Sequence, residues 1–166
     1  RSCRPQARRR AFRFRVELMP APAVTVVGGG LAGCEAALQL ARLGIPVVLR
    51  EMRPVTATPV HQGDALAQIV CSNSLKSTEP TTASGVLKLE LEGLGCELLM
   101  AARSCAVPAG SALAVDREAF SRAVAMRLDA AGVRVERGPV EALPAIPGHL
   151  WLLATGPLTS PALVEA

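Results

Sequence analysis

Apolar residues fall into short blocks set between turn-forming residues, and the spacing inside each block predicts its element. Residues 23–27 (Ala-Val-Thr-Val-Val) form a β-rich apolar run that stops at Gly28-Gly29-Gly30, as a buried parallel strand does. From 31 to 43 the chain carries Ala32, Ala36, Leu40 and Leu43 at spacings of three and four, with Glu35, Gln39 and Arg42 elsewhere. That pattern predicts an amphipathic helix with an apolar face, and Gly44 supplies its stop. Residues 46–50 read as a second strand with Glu51 at its carboxyl end, and the short link from Gly44 fits a right-handed crossover into a parallel sheet.

Beyond Glu51 the pattern loosens. Residues 53–84 are rich in Pro, Thr, Ser and Gly, with only 65–70 looking regular, and they read as a long functional loop. Leu87, Leu91, Leu94 and Leu98 recur at spacings of four, three and four, predicting one helix over 85–103, bent at Gly93 and Gly95, with the leucines as core. A second helix over 117–131 has Asp116 as N-cap, Val115 and Phe120 as a hydrophobic staple and Gly132 as stop. Strands follow at 133–137, 139–143 and 149–154, the first two resembling an antiparallel pair. The alternation of strand and helix predicts an α/β, Rossmann-like FAD/NAD(P)-binding domain with a parallel sheet. At 166 residues one domain is expected, covering 19–166. A doubly wound sheet ending just after Gly156 lacks its later strands, so the domain is expected to be incomplete at its C-terminus.

Charge changes this picture at one end. Residues 1–18 hold seven arginines (Arg1, Arg4, Arg8, Arg9, Arg10, Arg13, Arg15) against Glu17, which is +6 and leaves −2 on the other 148 residues of a chain whose net charge is +4. The body therefore offers no basic-patch argument for a nucleic-acid partner. The leader reads as a disordered stretch outside the fold, with Met19 as the true start; an organellar presequence is the competing reading. No apolar run approaches the ~18 residues a membrane span needs, and the cytoplasm is the simplest address. The cysteines Cys3, Cys34, Cys71, Cys96 and Cys105 are odd in number and include no Cys-x-x-Cys pair, which argues against a disulfide framework and a zinc site. With His61 and His149 as the two imidazoles, no metal centre is expected.

Candidate chemistry concentrates at Gly28-Gly29-Gly30-Leu31-Ala32-Gly33, which meets the Gly-x-Gly-x-x-Gly pattern between a predicted strand and a predicted helix. In that setting Gly28 permits a tight turn, Gly30 admits a pyrophosphate against the backbone, and Gly33 allows close helix-to-strand packing. The phosphates would sit on the helix N-terminus, with Leu31 and Ala32 in its first turn. Glu51 lies 23 positions after Gly28, about where a carboxylate accepts hydrogen bonds from the adenosine ribose hydroxyls. Arg53 is a candidate for the adenine or a phosphate, or else a solvated side chain. The strand end Ala154-Thr155-Gly156 resembles one that returns to the nucleotide site in two-dinucleotide flavoproteins. It puts Thr155 and Gly156 in the site and favours FAD over NAD.

Three further segments sharpen the resemblance: Arg50-Glu51-Met52-Arg53-Pro54, Val70-Cys71-Ser72-Asn73-Ser74-Leu75, and Pro108-Ala109-Gly110-Ser111-Ala112-Leu113-Ala114-Val115-Asp116-Arg117. From Val24 to about Ala166 the chain resembles the bacterial folate- and FAD-dependent tRNA uracil-5-methyltransferases, relatives of the glucose-inhibited division protein A flavoproteins. That resemblance implies FAD as cofactor, NAD(P)H and 5,10-methylenetetrahydrofolate as co-substrates, and a T-loop uridine of tRNA as methyl acceptor. It also implies a catalytic part for Cys71 near the flavin, with a second cysteine expected far beyond residue 166. A thiolate suits uridine because its addition to C6 makes C5 carbanion-like, and the Ser/Asn-rich loop offers it hydrogen bonds. Read from its neighbours Ile69 and Val70 alone, Cys71 is a buried structural thiol. Cys34, Cys96 and Cys105 read as core.

The chain departs from the family pattern at Gly29, Cys34, Lys76 and Ser111, where alanine, serine, arginine and glycine are usual. Other readings are a different flavoprotein oxidoreductase, such as a wobble-uridine modification enzyme of the division protein A type, or a non-catalytic nucleotide-binding module.

Overall fold

A computed structural model describes residues 24–166. The leader at 1–18, Met19 and the first residue of the expected strand lie outside the described residues. Strand β1 (Val24–Val27) is buried along its whole length, as a central parallel strand must be. Helix α1 (Leu31–Arg42) and strand β2 (Val47–Glu51) complete the expected strand-helix-strand unit, and Gly44 takes the left-handed conformation, φ +73°, that ends the helix. Then come β3 (Ser74–Ser77), α2 (Ala83–Gly93), α3 (Glu97–Ser104), β4 (Ala106–Val107) and β5 (Ala112–Val115). Helix α4 (Arg117–Ala130), β6 (Arg134–Arg137), β7 (Leu150–Leu153), a 3-10 turn at Gly156–Leu158 and α5 (Pro161–Glu165) finish the chain.

Four strands form a parallel sheet in the order β6-β2-β1-β7. The chain winds outward from β1 through β2 to β6 and returns to the other side of β1 at β7. This places the topological switch between β1 and β7, the crevice where open α/β sheets bind ligands. Val24, Val26 and Leu49 pack with Cys34, Ala37 and Leu38 of α1, Leu98 and Ala102 of α3, and Phe120, Val124 and Leu128 of α4. Val27 joins a smaller cluster with Val140 and Leu163, bordered by Leu143 and Trp151. A second, antiparallel sheet in the order β3-β5-β4 branches from the same core.

Asp116 caps α4 as expected, its carboxylate accepting from the Ala119 N–H at 2.8 Å, and the staple residues Val115 and Phe120 are both fully buried. Elsewhere the structure corrects the sequence reading. The buried face of α1 is Gly33, Cys34, Ala37 and Leu38, while Ala32 and Leu43 are exposed. The helix expected over 85–103 is two helices, broken where Gly95 adopts φ +73°. Its leucine stripe is not core: Leu87 and Leu94 are 53% and 72% exposed, Leu91 is half-buried and Leu98 alone is buried. The expected loop over 53–84 contains β3, and 65–70 is irregular although Leu66 and Ala67 are buried. No strand forms over 139–143, and β6 and β7 are parallel members of one sheet with β2 and β1 between them.

Candidate functional site

The glycine turn follows β1 directly, and each glycine answers to a different neighbour. Gly28 has φ +111°, and a Cβ there would stand 2.5 Å from the Ala154 carbonyl oxygen, because the end of β7 lies against the turn. At Gly33 a Cβ would lie 1.8 Å from the Gly28 carbonyl oxygen, so α1 can seat on the turn only without a side chain. Gly30 differs: a Cβ there would meet no atom within 4 Å. Its side-chain space belongs to the cavity rather than to the protein's own packing. Gly30 is also the N-cap of α1, with no side-chain cap and no acid in the first turn. By contrast Thr82, Asp116 and Ser160 cap α2, α4 and α5 with side-chain oxygens. The amides and dipole of the α1 N-terminus are left for an anion.

Glu51 reaches back from the end of β2 to this turn. One carboxylate oxygen accepts from the Gly29 N–H at 2.8 Å; the other accepts from the Arg53 backbone N–H and from Arg53 Nε, each at 2.9 Å. Both residues are buried, at 5% and 3% exposure. Burial acts to raise the Glu51 pKa, but the hydrogen bonds and charge of Arg53 and the Gly29 N–H outweigh it, so the carboxyl titrates below its ordinary 4.5. Arg53 is thus neither solvated nor extended toward a ligand: its Nη1 reaches Gln68 Oε1 at 3.4 Å, and its carbonyl accepts from Arg137. Gln68 and Gln62 exchange two further hydrogen bonds, at 3.0 and 2.9 Å, which fold the 62–68 segment over the site.

Together these groups enclose a cavity of about 340 Å³, within the usual ~300–1,000 Å³ of small-molecule sites. The cavity brings together Gly28, Gly29, Gly30, Leu31, Ala32, Glu51, Arg53, Thr155 and Gly156. Gly33 is not in its lining and acts through helix packing. Cys71 is exposed and is not in the lining either, although Val70 before it is. Its exposure overturns the reading of a buried thiol. Ser72 and Ser74 hydroxyls bond within their own turn rather than to the thiol. Sequence reasoning missed Arg50, Thr58, His61, Gln68 and Gly138 to Val140 in the wall; these come from β2, from the cover segment and from the turn after β6. A wider groove of about 620 Å³ between 60–70 and α4 meets the cavity at Val60, Gln68 and Val70.

The remaining thiols sit in or against the core, as expected. Burial pushes the Cys34 thiol up to about 12, and its Sγ donates to the Gly29 carbonyl at 3.4 Å, bracing the turn. Cys96 is buried and donates to Glu35, while Cys105 is half-buried against the main cluster. Among the described residues no group of three or more His, Cys, Asp or Glu is placed to hold a metal, and no helix is long and apolar enough to cross a membrane.

Strand order, glycine turn and crevice define a Rossmann-like α/β domain. The chain belongs to the glucose inhibited division protein A family, whose sequence pattern matches residues 23–163. It is 55% identical over 143 residues to the methylenetetrahydrofolate–tRNA-(uracil-5-)-methyltransferase TrmFO of Myxococcus xanthus (strain DK1622), covering 86% of this chain and 31% of that protein. To the protein of the same description from Rhodospirillum rubrum it is 50% identical over 147 residues, covering 87% of this chain and 30% of the relative. The chain thus spans under a third of the length of these relatives. Among solved structures it resembles the peptidyl tryptophan dihydroxylase QhpG at 27% identity and a TM-score of 0.43, over 75% of this chain and 27% of that one.

Proposed function

We propose that this chain is the nucleotide-binding part of an enzyme that transfers a reduced one-carbon unit from 5,10-methylenetetrahydrofolate to C5 of a uridine in the T-loop of tRNA, with FAD as cofactor and NAD(P)H as reductant. The observation that carries the nucleotide half of this reading is the uncapped N-terminus of α1 facing the cavity beside Gly30, whose missing side chain no protein atom requires. The chemical half rests on relatives that share half their residues with this chain over nearly its whole length.

In this reading the amides of Gly30, Leu31 and Ala32 receive the pyrophosphate, and Glu51 accepts the ribose hydroxyls on lone pairs that Gly29 and Arg53 do not use. Arg53 keeps Glu51 ionised and aimed, while Thr155 and Gly156 close the crevice from the end of β7. Bound FAD would supply two-electron redox chemistry. The Cys71 thiolate would add to C6 of the uracil, raising electron density at C5 for the incoming carbon, a role its exposure permits. A tRNA substrate would place the reaction in the cytoplasm.

Labelled methyl transfer to undermodified tRNA tests the whole reading. Methylenetetrahydrofolate with NADH or NADPH should label the tRNA. Labelling that requires S-adenosylmethionine, or none with the folate donor, would remove it. Cys71→Ala should abolish transfer while FAD stays bound, and wild-type turnover would take the thiol off the reaction path.

A further inference from the structure

We propose that Arg50 is a specificity-determining residue for the adenine ring of the bound dinucleotide and that Glu136 positions it; this rests on the nucleotide reading above. Arg50 lines the cavity with Gly138, Pro139 and Val140, the stretch of wall beyond Glu51 on the β6 side. Its guanidinium is fixed at one end. Nη1 donates to Glu136 Oε2 at 3.0 Å, across the register pair Arg50–Glu136 of β2 and β6, and Nη2 donates to the Pro139 carbonyl at 3.4 Å. The second carboxylate oxygen of Glu136 takes Arg134 at 3.0 Å, so the carboxylate is shared by two arginines.

One donor remains. Arg50 Nε is buried and has no acceptor among the described residues. Buried donors without partners are rare, because nothing repays the water they lose. The other such atom, His149 Nε2, belongs to a residue outside the cavity lining. An adenine ring matches the Arg50 donor: its ring nitrogens are in-plane acceptors, and its face suits a planar guanidinium. Arg53, the arginine the sequence singles out, has its Nε already given to Glu51. The two arginines thus divide the work, Arg53 holding the carboxylate and Arg50 meeting the base.

The test is a titration of the full chain with FAD, ADP and FMN, the last lacking adenosine. Arg50→Met should weaken FAD and ADP about tenfold each and leave FMN unchanged, with no drop in the melting temperature of the nucleotide-free protein. Arg50→Lys should not restore affinity, because an ammonium lacks the fork. Glu136→Gln should lose affinity in the same direction by a smaller factor, and it carries the test if Arg50→Met melts early. Unchanged FAD and ADP binding in a folded Arg50→Met protein, or an equal loss for FMN, overturns the assignment. A wild-type chain that binds neither FAD nor ADP overturns the nucleotide reading itself, a result distinct from an Arg50 effect.

Discussion

The β1-α1-β2 unit and the segment from 53 to 107 are held by different means. In the first, neighbours in sequence are neighbours in space: β1 ends in the glycine turn, α1 starts on it, and β2 returns beside β1 with Val24 opposite Val47. In the second, distant side chains impose the conformation. Glu35, on α1, accepts from the Glu97 and Leu98 amides at 3.1 and 2.9 Å and so caps α3 from outside. Lys88 is buried with its Nζ donating to the Ser77 and Ser84 carbonyls, which ties α2 to β3. Gln68 and Arg53 anchor the cover segment. A local pattern can therefore specify the frame of the crevice, while its cover needs the finished core to lean on.

Four substitutions would break or sharpen this contrast, beginning with the largest. Gly33→Ala drives a Cβ to within 1.8 Å of the Gly28 carbonyl oxygen and should cost about 4 kcal/mol or more by urea denaturation, the range of backbone-level overpacking. A cost under about 1 kcal/mol would mean that the turn yields and the frame is not locally set.

Glu51→Gln comes next. It leaves the Arg53 guanidinium buried without its partner charge, and a loss of about 3 kcal/mol is expected. The same residue governs acid behaviour. Because the folded pKa of Glu51 lies below its ordinary value, its contribution is fully present above pH ~4.5 and drains away as pH falls through the folded value. Glu35 adds to this with the same sign: burial acts to raise its pKa, but hydrogen bonds from Gln39, Leu98, Glu97 and Cys96 prevail and lower it. Stability measured from pH 7 to pH 3 should fall on the acid side, and the Glu51→Gln variant should show a shallower fall. Parallel curves would assign the acid limb to other groups.

A smaller effect, about 1.5 kcal/mol, is expected for Glu35→Ala, typical of a lost helix cap with charged hydrogen bonds. Amide exchange should rise in α3 ahead of α1. Uniform acceleration across both helices would show that the cap is not a local brace.

How far the sequence reveals the molecule follows the same division. The strand-helix-strand unit, the Asp116 cap and α4 are legible because their signals are local: a strand ending in glycines, a cap three residues before the amide it serves, a glycine just past a helix. Strands β3, β4 and β5 are not. They have four, two and four residues, several of them Ser or Ala, and they pair across more than thirty positions at Ser74–Ala114. The leucine spacing over 85–103 misleads because it is read through a break that Gly95 and Glu35 create together. At the site, Gly28, Gly30 and Glu51 are legible by spacing. Arg50 is not: it becomes visible only when β6 sets Glu136 beside it and leaves Nε without an acceptor.

Gly30 is where frame and function separate, so it supplies the most direct test of the claim that the turn cradles a pyrophosphate. Gly30→Ala adds a methyl that no protein atom opposes, and stability should change by less than about 1 kcal/mol, the scale of an N-cap change from glycine. FAD titrated into this variant should bind at least about tenfold more weakly than into the wild-type chain. Equal affinity for the two proteins, at matched stability, would contradict the assignment of that space to the ligand.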